Sequence, residues 1–343
     1  MLAVRAGLLP SAAEAALARK KTTVGAAELR PLYRMMFLIR RFEEEAARAY
    51  AQGKIGGFLH LYIGQESIAA GSAAVLRPDD YVFQTYRDHG TALSRGMPPG
   101  AAMAELFGKD TGCSRGLGGS MHFFDVERGF LGGYGVVGGH VAVAAGAAFR
   151  AKYLGDDRVT MCFLGEGATH IGGFHEGLTL AGLWQLPVVF VVENNQYAMG
   201  SAFERVSPIR DLTEKGAGYG VRGVRFDGTD VVDVRDRLGE AVGRARAGEG
   251  PTLVEILTYR FRGHSMSDPG KYRTREELEE RKKLDPVAIA RAKLVEAGAQ
   301  EADVSALEAE VDGEIDAALR FAEDSPPAQE SVMFDAVYAP PRS

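Results

Sequence analysis

The run "CFLGEGATH" sets a carboxylate, Glu166, between Gly165 and Gly167 at the end of an apolar stretch. Further on, "VVFVVENNQY" ends a second apolar stretch with Glu193, Asn194, Asn195 and Tyr197. A carboxylate, an amide oxygen and nearby backbone carbonyls are hard oxygen donors of the kind Mg²⁺ takes. The glycines keep side chains out of the way, and the start of a following helix offers unpaired N–H groups to an anion. Together the two turns spell a magnesium–diphosphate site. A lone Gly-Glu-Gly would read more simply as a strand-to-helix turn with a surface carboxylate; the Asn-Asn after the next strand reverses that reading. No G-x-G-x-x-G run with its acidic partner about 20 positions on is read after a strand, and no G-x-x-x-x-G-K-[ST] loop is present. A nicotinamide oxidoreductase therefore lacks its fingerprint.

Both turns need elements to aim them. Apolar runs predict strands over 159–164, 188–193, 223–226 and 252–257, with helices over 141–152, 172–184 and 231–247. Strands alternating with helices indicate an α/β fold with a doubly wound, mainly parallel sheet. In such a sheet Glu166 and Asn195 arrive at the carboxyl edge of neighbouring strands, where ligands bind. Upstream, 30–52 reads as an amphipathic helix. Residues 53–139 alternate Gly-rich loops with short helices at 66–75 and 101–107. Past 274 the pattern changes to charged helices. The expected division is an N-terminal arm (1–29), an α/β domain (30–275) and a helical C-terminal extension (276–343).

The bulk numbers fit an ordinary soluble chain with one excess. Of 343 residues 46% are hydrophobic and 25% charged, but 43 are Gly, against a usual share of about 7%. Eleven of them lie between Gly112 and Gly146, so backbone there must approach something closely. A net charge of −6 with scattered Arg and Lys argues against a nucleic-acid partner. Cys113 and Cys162 make neither a disulfide scaffold nor a metal spacing, which fits a reducing compartment. The longest apolar run, 186–192, is far short of the ~18–20 residues of a membrane span. Residues 1–24, with Arg5, Arg19, Lys20 and Lys21, resemble a transit peptide, but Glu14 and the lack of Ser/Arg periodicity favour an arm. The cytoplasm of a bacterium is expected rather than the mitochondrial matrix.

The Gly-Glu-Gly and Asn-Asn pair resembles the GDG…NN motif of thiamine diphosphate enzymes. The runs "GGFLHLYIGQESIAAG", "TYRDHGTALSRG", "GCSRGLGGSMHFFD", "GYGVVGGHV" and "YRFRGHSMSDPGKYRTREE" are similar, in order, to the α subunits of the pyruvate dehydrogenase E1 family, over about residues 32–337. That resemblance implies a thiamine diphosphate-binding fold, with Mg²⁺ and the diphosphate held by this chain and the aminopyrimidine by a separate β subunit. It puts Tyr86 and Arg87 at the diphosphate, Gly135 and Val137 at backbone contacts on the pyrimidine side, and Gly165, Glu166, Gly167, Ala168, Asn195 and the Tyr197 carbonyl on the Mg²⁺ and diphosphate. It makes His264, His60 and His89 candidate catalytic residues, His264 also touching the cofactor, and gives Phe58 and His60 to the substrate pocket. Its implied activity is decarboxylation of pyruvate with acetyl transfer to the lipoyl group of E2, in an α₂β₂ assembly with the E1 β subunit. Branched-chain 2-oxo acids or acetoin are the alternative substrates, and a cofactor-poor, non-catalytic subunit is the alternative class.

The chain departs from the family pattern at two places that bear on the site. Glu166 stands where relatives carry Asp, so one more methylene must be absorbed by the backbone at Gly165 and Gly167. His170, Ile171 and Gly172 replace Asn-Gln-Gly. Ser265 aligns with a serine phosphorylated in mitochondrial relatives, within a loop (265–275) expected to order on binding, while Lys271 and Ala202 occupy the places of two further serines.

Overall fold

The computed structural model describes residues 24–335, and most of the expected arm lies outside them. Six strands form one sheet: β1 (Tyr81–Thr85), β2 (Phe130–Tyr134), β3 (Thr160–Gly165), β4 (Val188–Asn194), β5 (Arg222–Asp227) and β6 (Thr252–Leu257). Their order is β2-β1-β3-β4-β6-β5 and every pairing is parallel. The expected α/β class with its parallel sheet and helical extension is what the chain forms.

β4 and β6 are buried along their whole length, because helices cover both faces and no position meets water. Alternation then sorts side chains between two cores. Met161, Phe163, Val189 and Val191 face one, shared with the Ala26–Ala51 helix, while Cys162, Leu164, Phe190 and Val192 face the other, shared with Val141, Ala145, Phe174 and Leu178. The helices predicted over 141–152, 172–184 and 231–247 run Gly139–Leu154, Gly172–Leu183 and Val231–Arg246.

Two strands, β1 and β2, go beyond the expectation, for they lie in the stretch read as loops and short helices. β2 is Phe-Leu-Gly-Gly-Tyr, and glycine is depleted in strands. Gly133 is required there because any Cβ would run into the Asp88 carboxylate. These strands set the geometry of the site: the chain winds from β1 to β2 on one side and continues with β3 on the other. The winding direction reverses between β1 and β3, which opens a crevice at their carboxyl ends.

The C-terminal helix Glu301–Asp324 buries Val304, Leu307, Val311, Ile315, Ala318 and Ala322, a stripe at helical spacing, against the Ala26–Ala51 and Pro99–Leu106 helices. No described helix is long and apolar enough to cross a membrane.

Candidate cofactor site

Four strand ends deliver the chemistry to one edge. β1 is followed by Tyr86 to His89, β3 by Glu166, β4 by Asn195, and β6 by the segment from Thr258 to His264. Gly165 pairs in register with Glu193, and Glu193 with Ile256, so these ends stand side by side.

Glu166 is 2% exposed, and its Oε1 is buried with no hydrogen-bond partner. Burial pushes its carboxyl pKa up. At Gly165, the residue before it, a Cβ would meet nothing within 4 Å. A Cβ at Gly167 would meet the Ala198 Cβ at 2.9 Å, and that side is closed. The helix begins at Gly172, where it was expected, and a 3₁₀ turn over Glu166–His170 leads into it.

Asn195 Oδ1 and the Tyr197 carbonyl converge on a positive charge that the sequence reading missed. Arg260, 2% exposed, donates from Nη1 to Asn195 Oδ1 at 3.2 Å and to the Tyr197 carbonyl at 2.9 Å. Its Nη2 donates to the Met199 carbonyl at 2.8 Å. Gln196 (φ 77°) and Met199 (φ 53°) are left-handed, a conformation that costs a non-Gly residue energy and lets the turn aim its carbonyls inward. Two oxygens already serving one cation, plus a buried carboxylate oxygen serving none, form a donor set that fits a hard divalent ion.

The aromatic wall matches three of the predicted residues. The His60 ring lies 4.8 Å from Tyr86 and 5.1 Å from His264, centroid to centroid, and Tyr86 lies 5.5 Å from His264. Phe58 flanks His60 at 6.4 Å and is 61% exposed. His60 Nδ1 and His264 Nδ1 are both buried without a partner. Burial, with Arg87 adding repulsion, lowers the pKa of His264 to about 4 and that of His60 to about 2. Both rings are therefore neutral near pH 7. Arg87 ties the wall together, donating to the carbonyls of Leu61 (2.6 Å) and His264 (2.8 Å).

His89 stands apart from that wall. Its Nδ1 faces the Glu43 carboxylate at 3.0 Å, its Nε2 faces Ser120 Oγ at 2.9 Å, and its ring stacks on Phe123. With both nitrogens committed, it reaches the wall through Ser120, whose Oγ also accepts from the His60 amide at 3.0 Å. Gly135 and Val137 lie in the loop after β2. Contrary to the expectation from the sequence, the end of β2 and this loop together (Gly133-Tyr134-Gly135-Val136-Val137-Gly138) do carry G-x-G-x-x-G spacing ahead of a helix. Asp156 and Asp157, the acidic residues at the right distance, precede β3 rather than end it, so the dinucleotide arrangement is not completed. The loop packs on the Glu166–His170 turn through Gly138 and Ile171, and a Cβ on Gly138 would collide with the Ile171 side chain.

Ser265 is buried, with its Oγ 3.0 Å from Ser267 Oγ. Its loop closes through Asp268, which accepts from the His264 amide (2.6 Å), the Gly270 amide (2.9 Å) and the Tyr272 hydroxyl (2.7 Å).

Residues 33–331 match the model of the family described as Dehydrogenase E1 component. The chain belongs to that family. It is 44% identical over 304 residues to the pyruvate dehydrogenase E1 component subunit alpha of Rhizobium meliloti, covering 88% of this chain and 87% of the relative. It is 46% identical over 303 residues to the subunit of the same name from Porphyra purpurea, covering 86% and 88%. Pyruvate dehydrogenase E1 component subunit alpha-3, chloroplastic, of Oryza sativa is 43% identical over 352 residues, covering 99% of this chain and 83% of its own.

Proposed function

We propose that this chain is the α subunit of a pyruvate dehydrogenase E1 component, an oxidoreductase that decarboxylates pyruvate and passes the acetyl group to the lipoyl domain of E2. The observation that carries the reading is the buried Glu166 carboxylate with an unpaired oxygen, at the strand end beside the one that carries Asn195 Oδ1 and the Tyr197 carbonyl, which share one cation. The names of its relatives from Rhizobium meliloti and Porphyra purpurea support the substrate. The dehydrogenase E1 family is thiamine diphosphate-dependent.

Glu166, Asn195 Oδ1 and the Tyr197 carbonyl would hold Mg²⁺, and Tyr86, Arg87, Gly165, Gly167 and Ala168 the diphosphate. Gly135 and Val137 would meet the pyrimidine side. When bound, thiamine diphosphate supplies the carbanion that attacks the keto carbon of a 2-oxo acid. The chain's own residues do the rest of this half of the site. Neutral His264 and His60 keep an unpartnered Nδ1 at the wall, which would hydrogen-bond an oxygen of the substrate or cofactor without carrying charge near pH 7. Phe58 gives the substrate an apolar surface, and burial of the wall keeps water from competing. Arg87 brings a buried positive charge where anions arrive. His89 positions His60 through Ser120, and Ser265 sets the loop beside His264.

An exposed apolar face supports the E1 β partner and an α₂β₂ assembly. Val143, Phe149 and Tyr153 on one helix and Leu183 with Trp184 at the end of the next are 41–78% exposed, and such surface seeks a protein partner. Within this reading 30–275 is the cofactor domain, the C-terminal extension from 276 packs on it as far as residue 335, with 336–343 outside the described residues, and the protein works in the bacterial cytoplasm. The test is to co-express the chain with its β subunit and titrate thiamine diphosphate with and without Mg²⁺ by calorimetry. Metal-dependent binding, and faster turnover of pyruvate than of branched 2-oxo acids, is the expected result.

A further inference from the structure

Behind the oxygen donors lies a row of buried polar side chains that no step above uses. Asn195 Nδ2 donates to Gln65 Oε1 at 3.1 Å, and Gln65 Nε2 donates to Glu193 Oε1 at 3.4 Å. Glu193 also accepts from the Tyr62 hydroxyl and from Gln84 Nε2, the latter at 3.2 Å. Gln65 is 1% exposed, Glu193 3% and Asn195 7%, so bulk water offers no substitute partners.

The row has a direction. The Thr85 amide can only donate, and it donates to Gln84 Oε1 at 2.8 Å; the NH₂ end of Gln84 therefore faces Glu193. With Glu193 serving as the shared acceptor, Gln65 must turn its NH₂ toward it and its Oε1 toward Asn195. Asn195 must in turn give Gln65 its NH₂, which leaves Oδ1 facing the Arg260 guanidinium and the open side. The opposite sense would set Gln65 Oε1 against the Glu193 carboxylate and the Asn195 NH₂ against the Arg260 guanidinium, and buried groups paired that way are costly. The Tyr197 amide, 3.4 Å from Asn195 Oδ1, favours the same sense more weakly.

We propose that Gln65, aimed by Glu193, is a positioning residue that locks the Asn195 amide with its oxygen toward the bound cation. The inference rests on the cofactor reading above. Outer partners of metal ligands act in this way, by fixing orientation.

The experiment uses the α/β complex, thiamine diphosphate, and Mn²⁺ as the probe, with free Mn²⁺ read by electron paramagnetic resonance. Gln65→Met should weaken Mn²⁺ binding by roughly 10–100-fold. In an Asn195→Asp background it should cost no more than about twofold, because a carboxylate has an acceptor at either end and no sense to lock; that limit is the scatter of independent sites. Equal losses in both backgrounds overturn the relay and leave the cofactor reading standing. Failure of the unmodified complex to bind Mn²⁺ overturns the cofactor reading, and the relay with it. Should Gln65→Met not fold, Gln65→Glu carries the test. Its carboxyl, sharing one proton with Glu193 in place of the lost NH₂ donor, still offers an oxygen to Asn195, so Mn²⁺ binding should stay within a few-fold of the unmodified complex, and a loss as large as that of an outer ligand partner, roughly 10-fold or more, overturns the proposal.

Discussion

Glu105 and Glu166 are both buried carboxylates wrapped by glycine-rich backbone, and they differ in what fills the wrap. Around Glu105 the loop 112–119 closes completely. Oε2 accepts from the amides of Ser114 (2.7 Å) and Gly116 (2.9 Å), and Oε1 from those of Gly118 (2.7 Å) and Gly119 (3.1 Å). A Cβ on Gly112 would strike the Glu105 side chain and lie 2.6 Å from its Cα. Around Glu166 one oxygen has no partner, and the neighbouring Gly165 borders empty space. In the first region glycine lets backbone amides reach a carboxylate of the protein itself. In the second the carboxylate keeps an oxygen that no described group of the protein satisfies. Glycine enrichment alone does not separate the two cases; the satisfaction of the enclosed carboxylate does.

The largest effect that could break this contrast is on stability. Glu105→Ala strips four partly buried amides of their acceptor and should cost about 4 kcal/mol, seen as a large drop in thermal midpoint. A small drop would mean that the loop stands without its carboxylate. Next comes a pair of alanine substitutions. Gly112→Ala should destabilise by roughly 1–3 kcal/mol through overpacking. Gly165→Ala, at φ −76° with no neighbour to strike, should stay within about 0.5 kcal/mol and instead weaken thiamine diphosphate binding. Equal destabilisation of the two would erase the distinction.

The smallest effect concerns pH. Burial depresses the His264 pKa to about 4, so between pH 4 and its ordinary value near 6.5 the unfolded chain binds more protons than the folded one. Stability is therefore lost as pH falls through that window. Acidification from pH 7 to pH 5 should lower the thermal midpoint of His264→Asn less than that of the unmodified protein. Equal falls would mean that His264 titrates as if exposed.

How far these features were legible beforehand depends on whether a side chain or a distant contact creates them. β4 and β6 are continuous apolar runs, and burial on both faces leaves that mark in the sequence. Glu166 and Asn195 were legible because they end such runs. β2 was not, since its two glycines read as a loop until Asp88 from another segment requires the space. Arg260 carries no spacing signal; it acquires meaning from carbonyls turned by Gln196 and Met199, whose left-handed backbone no residue type announces. The wrapped carboxylate of Glu105 was hidden likewise, because it sits on a helix ahead of the glycines that enclose it. His89 had a legible motif but not a legible position.

The most direct measurement is Mg²⁺ affinity in the Glu166→Ala α/β complex with thiamine diphosphate, read by calorimetry beside the thermal midpoint of the metal-free protein. Loss of Mg²⁺ binding beyond the roughly 10–100-fold cost of an outer partner, with the metal-free midpoint unchanged or raised because an unpaired buried carboxylate is gone, is the predicted result. Unaltered Mg²⁺ affinity, or a metal-free midpoint that falls as far as that of Glu105→Ala, would contradict the assignment of Glu166 to the cation.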